Sequence, residues 1–133
     1  LQIPMTAGGG PASSPTGGFH WGSSVSWNTH LNGWVMLMGH VTGQSWVGSK
    51  LFISFNPHPD LGAGNNAQDW TKPQLLVDKP GHTMWYPSLQ PMNTPEDIAG
   101  KHTSLRLGQR ARLFFKYSDL GKYCSEYIVE FEK

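Results

Sequence analysis

Short runs of apolar residues, separated by glycine, proline and asparagine, recur along the chain from about residue 20 onward. Runs of this length that are rich in tryptophan, phenylalanine and valine and bounded by turn residues are typical of β-strands. No segment keeps a 3.6-residue apolar period for more than about two helical turns, so the pattern indicates an all-β protein. The predicted strands cover residues 22–28, 34–41, 50–56, 74–77, 84–89, 110–117 and 125–131.

The connection between the first two predicted strands carries the pair Asn32-Gly33. Both residues tolerate positive φ, so the pair predicts a two-residue type I′ hairpin turn. The strand that follows, Trp34 to Val41, is a nearly continuous apolar run. Such a run is typical of a strand that is covered on both faces.

The strands fall into two similar units that follow a loose opening segment. Residues 1–18 are rich in glycine, proline and serine, which predicts a linker or a long loop. Residues 19–80 contain four predicted antiparallel strands, and residues 81–133 contain three strands of a second such unit, with a polar insertion at 91–108. Four-stranded repeats are typical of β-propeller blades, and a propeller needs at least about four of them. The sequence therefore predicts two blades of a larger ring.

Charge and composition exclude several classes of protein. The 133 residues include 10 Lys and Arg against 9 Asp and Glu, a formal net charge of +1, and only 14% of residues are charged. Nucleic-acid binding needs a dense basic face, so a nucleic-acid partner is excluded. The longest apolar run, Trp34 to Met38, falls far short of the ~18 residues of a membrane span, so no membrane partner is expected. A single cysteine, Cys124, excludes an internal disulfide.

Several segments match, in order, the motifs of one group of enzymes. They are WGSSVSWNTHL at 21–31 with WVMLM at 34–38, LFISF at 51–55 with DWTKPQ at 69–74, WYP at 85–87, and RARLFF at 110–115. Together these segments resemble the last two blades of five-bladed β-propeller glycoside hydrolases of the family 43-like and sialidase-like group. The resemblance covers roughly residues 19–131.

The resemblance implies a partial five-bladed β-propeller and a carbohydrate-active protein. In that group the acids that hydrolyse the glycosidic bond lie in the first three blades, upstream of Leu1, so the chain alone is expected to be inactive. Its implied role is to contribute the sugar-binding wall, with an oligo- or polysaccharide as partner and without a cofactor. An N-terminal propeller fragment, or self-association, would complete the ring. The expected location is extracellular or periplasmic, although Leu1 to Pro4 lack the pattern of a signal peptide.

Residues at the start of the innermost strands of a propeller line its axial funnel, and these are the predicted substrate-binding residues. Sugar rings stack their C–H faces on tryptophan and tyrosine, and their hydroxyls bind planar polar groups. The predicted set is His20, Trp21, Ser24, Asn28, Trp85, Tyr86, Gln90 and Arg112. Trp27, Trp34 and Trp70 are instead predicted to lie in the blade core.

Catalytic residues stay unassigned at this stage. Glycoside hydrolysis needs two carboxylates in one site, but the nine acids of the chain lie in turns or on one face of the last strand. The six histidines show no H-x-H or H-E-x-x-H spacing, so no metal site is expected.

Two alternatives stay open beside the propeller wall. One is a free-standing, non-catalytic carbohydrate-binding module with a flat row of exposed aromatic residues. The other is a small self-sufficient glycan-active enzyme, for which Asp69 and Glu126 are the first candidate acids.

Overall fold

The computed structural model describes residues 2–4, 19–42, 46–61, 66–92, 95 and 105–133, and 68% of these residues lie in β-strands. The strands are β1 (Gln2–Pro4), β2 (Phe19–Asn28), β3 (Gly33–Thr42), β4 (Val47–Asn56), β5 (Gln74–Asp78), β6 (Met84–Met92), β7 (Arg106–Leu107), β8 (Arg110–Tyr117) and β9 (Lys122–Glu132). A single 3-10 turn is described, over Asn66–Gln68. The prediction of an all-β protein is confirmed. Within the described ranges, no helix has the length and apolar character that a membrane span requires.

The first sheet is a meander to which one short strand is added. Strands β2 to β5 follow one another along the chain and pair antiparallel, in the spatial order β5-β4-β3-β2-β7. Strand β7 comes from later in the chain and joins β2 in parallel, with Trp27 opposite Arg106. The backbone N–H of Trp27 donates to the carbonyl of Leu105 at 2.9 Å, which holds β7 in place.

The second sheet has the spatial order β1-β9-β8-β6. Strands β6, β8 and β9 pair antiparallel, whereas β1 pairs in parallel with β9 and places Ile3 opposite Phe131. Strand β6, at the edge of this sheet, contacts β2, β3 and β4 of the first sheet. The result is a strongly curled, half-barrel arrangement.

All seven predicted strands are present, and most extend beyond their predicted ends. The two additional strands, β1 and β7, were not predicted. Strand β1 lies in the segment 1–18 that was predicted as a linker; residue 1 and residues 5–18 fall outside the described residues. Strand β7 lies in the predicted insertion 91–108, most of which also falls outside them.

The turn between β2 and β3 differs from its prediction. The hairpin is present, but Asn28 pairs with Gly33, so the loop has four residues, 29–32, rather than two. Only Asn32 in this loop has a positive φ, of 54°. The side-chain Oδ1 of Asn28 accepts hydrogen bonds from the backbone N–H groups of His30 and Leu31, both at 2.9 Å. These bonds stabilise a four-residue loop in place of the two-residue turn, so the prediction of a type I′ turn at Asn32-Gly33 is wrong.

The hydrophobic core lies between the two sheets. Alternate residues of β3 and β4 point into it from one side, and alternate residues of β8 point into it from the other. Its largest fully buried side chains include Phe55, Leu37, Leu113 and Phe115, each at most 1% exposed. Burying such a side chain contributes roughly 1.5–3 kcal/mol, so contact between the sheets stabilises both of them.

The outer face of the first sheet is also apolar but is less covered. Val25 pairs with Met36 across β2 and β3, and Trp27 pairs with Trp34, so all four lie on the face opposite the core. Val25 is 38% exposed, and the other three are half-buried. Trp27 and Trp34, predicted in the blade core, therefore lie on this outer face, and Trp70 is likewise half-buried. On the outer face of β3, Met38 and His40 are buried, whereas Trp34 and Met36 are half-buried, so the predicted cover on both faces holds for only part of this strand.

A β-bulge between His40 and Thr42 of β3 requires a glycine on the neighbouring strand. At Gly48 of β4, a Cβ atom would coincide with the carbonyl oxygen of His40 and would lie 3.1 Å from the Cα of Val41. Both obstacles are backbone atoms, which cannot move aside as the end of a flexible side chain can. The close approach of β3 and β4 at this point therefore depends on glycine.

We expect Gly48→Ala to lower the free energy of unfolding by about 3 kcal/mol, because the two strands must separate locally. Gly121→Ala is the matched control, since its Cβ would meet nothing within 4 Å and only its φ of 62° is unfavourable. That control is expected to cost about 1 kcal/mol. Urea denaturation of the two variants measures the difference, and equal losses would contradict the close approach at Gly48.

Candidate functional site

Four aromatic side chains meet where β6 crosses the first sheet, and we call Trp21, Trp46, Trp85 and Tyr86 the aromatic cluster. The ring centroid of Trp21 lies 5.0 Å from Trp46, 5.6 Å from Trp85 and 5.4 Å from Tyr86. Trp85 and Tyr86 are 6.0 Å apart. These four ring pairs are all edge-to-face, the arrangement that aromatic quadrupoles favour. Trp21 is the central member, because it contacts the other three.

The place of Trp21 depends on the absence of a side chain on the neighbouring strand. Trp21 pairs with Gly39 of β3, and a Cβ atom at Gly39 would lie 3.3 Å from the indole Nε1 of Trp21. The same position lies 3.6 Å from the carbonyl oxygen of Met84 in the second sheet. The indole therefore lies against the backbone of β3, beside the point where the two sheets meet.

Trp46 and Tyr86 are held in an unusual backbone conformation. Their φ angles are 56° and 55°, in the left-handed region that bulky residues rarely adopt. The register of β6 with β8 shifts between Trp85 and Ser88, so Tyr86 lies within a bulge. The indole N–H of Trp85 donates to the carbonyl of Trp46 at 2.9 Å and joins the two strained segments.

The aromatic cluster combines exposed ring surface with one buried, unpaired donor. Tyr86 is 54% exposed and Trp46 is 44% exposed, while Trp21 and Trp85 are half-buried. The indole N–H of Trp21 is buried and has no hydrogen-bond partner among the described residues. Leaving such a donor unpaired costs about 1–3 kcal/mol. The cluster can thus offer apolar ring faces to a ligand, chiefly those of Tyr86 and Trp46.

Of the eight predicted binding residues, Trp21, Trp85 and Tyr86 lie together, and Ser24 lies next to them. The hydroxyl of Ser24 donates to the carbonyl of Pro87 at 2.8 Å, which ties β2 to β6 across the sheets. Trp46 was not predicted, because its position between β3 and β4 gave no periodic signal. The only sign of its role in the sequence is that a large aromatic residue stands in the predicted turn between β3 and β4.

The other predicted polar residues lie away from the cluster. Asn28 is fully buried at the far end of β2, where its amide donates to the carbonyl of Gly108 at 3.0 Å. Arg112 and Gln90 are cross-strand neighbours on β8 and β6. The guanidinium of Arg112 donates to the carbonyl of Ser125 at 2.9 Å. In this structure Asn28 and Arg112 hold strands and loops in place.

His20, the eighth predicted residue, lies on the outer face of the first sheet. Its ring centroid is 5.4 Å from that of His40 and 5.0 Å from that of Phe52. Burial, and then the neighbouring His40, lowers the pKa of His20 below its ordinary value of 6.5. Burial, and then the Lys50 ammonium, lowers the pKa of His40 in the same way. Both shifts favour the neutral imidazole in the folded chain.

A further histidine is oriented by a carboxylate. The Nδ1 atom of His82 lies 2.9 Å from one oxygen of Asp119, and the other oxygen accepts the backbone N–H of Thr83 at 2.9 Å. The Thr83 N–H, and then the His82 ring, lower the pKa of Asp119. An ionised Asp119 favours the tautomer of His82 that donates from Nδ1.

The candidate acids of a small enzyme are engaged by basic side chains at the surface. Asp69 lies 2.7 Å from His58, and Glu126 lies 3.6 Å from Lys79. Both carboxylates are more than half exposed. Within the described ranges, no group of three or more histidine, cysteine or acidic residues is placed to hold a metal ion.

The two histidines on the outer face make stability depend on pH. Because the pKa values of His20 and His40 are lowered on folding, the unfolded chain binds more protons once the pH drops below 6.5. The contribution of these two histidines to the free energy of unfolding is therefore largest above that pH, and it is lost as the pH falls towards their folded-state pKa values. His20→Phe keeps a ring beside Phe52 and should make this fall shallower, as measured by urea denaturation between about pH 7 and pH 5.

Met36→Leu, on the same outer face, is the matched control because it changes packing without changing a titrating group. Met36→Leu should change the free energy of unfolding by the same amount at every pH, so that its slope against pH stays the same. An unchanged slope in His20→Phe would show that the histidine pair is not the source of the pH dependence.

Comparison of the chain with protein-family models, with curated proteins and with solved structures finds no match. The likeness to five-bladed glycoside hydrolases therefore stays a resemblance of sequence motifs. The function has to follow from the geometry of the chain itself, and the aromatic cluster is its most distinctive arrangement.

Proposed function

We propose that the chain binds carbohydrate at the aromatic cluster and contributes this cluster as the wall of a sugar-binding site. The observation that carries the proposal is the convergence of four aromatic rings from three segments of the chain, two of them strongly exposed. Soluble proteins rarely expose such a set without a binding role. The strained backbone at Trp46 and Tyr86 supports the same reading, because strain of this kind gathers at ligand sites.

The angles between the rings favour a cleft over a flat platform. Ring planes in the cluster are inclined to one another by 66° to 85°. A sugar unit would therefore rest on one ring face while the edges of neighbouring rings flank it. A flat row of coplanar rings, which suits a module lying on a polysaccharide surface, would have small angles between its members. The geometry supports the wall of a pocket over the free-standing module.

The proposal extends to two propeller-type blades, and the order of the strands supports this part of it. Strands β2 to β5 follow one another across the first sheet towards the edge strand β5, and the chain then returns to begin β6 in the second sheet. Strands β6, β8 and β9 repeat the same outward meander. The parallel strands β1 and β7 depart from a simple blade. In a complete ring, the hydrolytic acids would belong to the blades that precede these two.

Replacing Tyr86 by alanine is expected to weaken sugar binding at least about 10-fold, because it removes the most exposed ring of the cluster. Binding of arabino- and xylo-oligosaccharides can be measured by calorimetry and by tryptophan fluorescence. Trp85→Ala should have a similar effect.

Tyr123→Ala is the matched control, because Tyr123 is 71% exposed but lies on β9, outside the cluster. It should leave the affinity unchanged. If Tyr86→Ala and Tyr123→Ala bind the oligosaccharides equally well, the aromatic cluster is not the sugar site.

The outer apolar face of the first sheet predicts association. An incomplete ring leaves such a face without its neighbouring blade, so light scattering should give a particle heavier than the 14.7 kDa chain. Mass spectrometry of that particle identifies a partner fragment or further copies. A 14.7 kDa monomer with a cooperative melt would contradict the two-blade proposal while leaving the sugar site open.

A further inference from the structure

Two histidine rings lie beside each other on the outer face of the first sheet. His20 of β2 pairs directly with His40 of β3, so both side chains rise from the same face, and their ring centroids are 5.4 Å apart. The Nε2 atom of His20 is buried and has no hydrogen-bond partner among the described residues. Buried polar atoms without a partner are rare in folded proteins, and a ring nitrogen in this state can serve as a metal ligand.

The distance between the two rings fits two imidazoles bound to one metal ion. A metal–nitrogen bond of about 2.0 Å, on the line from the ring centre through the nitrogen, places the ring centre about 3.2 Å from the ion. Two rings at that distance, with centroids 5.4 Å apart, subtend an angle of about 115° at the ion. This angle lies between the tetrahedral and the trigonal values. Linear coordination by both rings would instead need centroids about 6.4 Å apart.

Met38 brings a sulfur donor to the same face. It precedes His40 by two residues of β3, about 7 Å along the strand, and it is 8% exposed. Its partner on β4 is Phe52, whose ring centroid lies 5.0 Å from that of His20 and 5.7 Å from that of His40. Met38 and the two imidazoles therefore adjoin the same phenyl ring. Methionine is long and flexible enough for its thioether to reach a neighbouring ion.

The surroundings of the two rings favour a soft ion of low charge. Thioether sulfur selects Cu(I), and imidazole is a common ligand of copper. The nearest charged positions in the strand register are Lys50, opposite His40, and Asp78, opposite Lys50. The Lys50 ammonium acts on the His40 ring, and it would repel a divalent ion twice as strongly as a monovalent one. Asp78 offsets part of this repulsion.

We propose that His20, His40 and Met38 form a binding site for copper(I) on the outer face of the first sheet. The Nε2 atom of His20, one ring nitrogen of His40 and the Met38 sulfur would give the ion three ligands. The lowered pKa values of both histidines agree with this role, because only the neutral imidazole has a lone pair to offer. Trp21 follows His20 and points to the opposite face, so the inference does not depend on the carbohydrate proposal.

The first test measures the affinity of the full, metal-free chain for Cu(I), by anaerobic competition with bicinchoninate. One equivalent should bind with a Kd below about 1 μM. His20→Phe should weaken binding more than about 100-fold, beyond the effect of losing a group that only orients a metal ligand. Met38→Leu should weaken Cu(I) binding about 10-fold and leave Zn²⁺ binding unchanged, because zinc gains little from a thioether. Met36→Leu, on the same face, is the matched control and should change neither affinity.

The second test identifies the ligands in the parent chain, so it decides the matter even if His20→Phe fails to fold. It follows the NMR spectrum during addition of Ag(I), a diamagnetic substitute for Cu(I). At one equivalent, the imidazole signals of His20 and His40 and the methyl signal of Met38 should shift, while the other four histidines stay unchanged.

Three results would overturn the copper site. The first is Cu(I) binding that His20→Phe leaves unchanged. The second is a set of NMR shifts centred on Cys124 or on another histidine. The third is tighter binding of Zn²⁺ than of Cu(I), which would rule out both the soft ion and the sulfur ligand. None of these results bears on the sugar site, which is tested separately through Tyr86.

Discussion

The packing of the two sheets against each other is the interaction on which the described structure depends. Val35 and Leu37 on one sheet, and Leu113 and Phe115 on the other, are buried only because the sheets are in contact. The same contact assembles the candidate site, since Trp21 belongs to the first sheet and Trp85 and Tyr86 belong to the second. A change that loosens the core would therefore also separate the rings, even if it lies far from them. Stability and binding are coupled through one interface.

Two local features, a glycine in β3 and a bulge in β6, shape the interface between the sheets at the aromatic cluster. Gly39 lets the indole of Trp21 lie against the backbone, and the bulge in β6 turns Tyr86 outward. The positive φ angles of Trp46 and Tyr86 each cost about 1–3 kcal/mol, which the surrounding contacts must offset. Part of that offset comes from the hydrogen bond between the Trp85 indole and the Trp46 carbonyl. The cluster is thus a constrained arrangement, because its members would relax to ordinary strand geometry if those contacts were lost.

The sequence predicts the seven longer strands well, because the apolar runs that indicate a strand and the turn residues that end it are local features of the chain. Strand β8 has the predicted bounds, and the neighbouring strands differ mainly at their ends. The β2–β3 turn could not be predicted from Asn32-Gly33 alone, since the Asn28 side chain reorganises the loop from outside the pair. Strands β1 and β7 are two or three residues long and pair with distant partners, so they leave no periodic signal.

The candidate site also contains residues that local sequence predicts and residues whose place depends on contacts with distant parts of the chain. Trp21, Trp85 and Tyr86 follow from their place at the start of β2 and β6. Asn28 has the right chemistry for a sugar, but its partner Gly108 lies 80 residues away in sequence, and no local pattern reveals that bond. Trp46 joins the cluster from the turn before β4, and its contact with Trp21 of β2 appears only in the three-dimensional arrangement.

The edge-to-face contacts of Trp21 also have an optical consequence. Its indole lies 5.0 Å from that of Trp46 and 5.6 Å from that of Trp85, at angles of 72° and 85°. Indoles this close and inclined to one another can couple their electronic transitions, so we expect an exciton couplet in the circular dichroism in addition to the strand signal. The coupling of Trp21 to Trp85 joins one indole from each sheet, so this contribution would vanish on undocking even if both sheets kept their hydrogen bonds, whereas the coupling of Trp21 to Trp46 lies within the first sheet and its turn. The chain therefore carries its own spectroscopic label for the joining of its two halves.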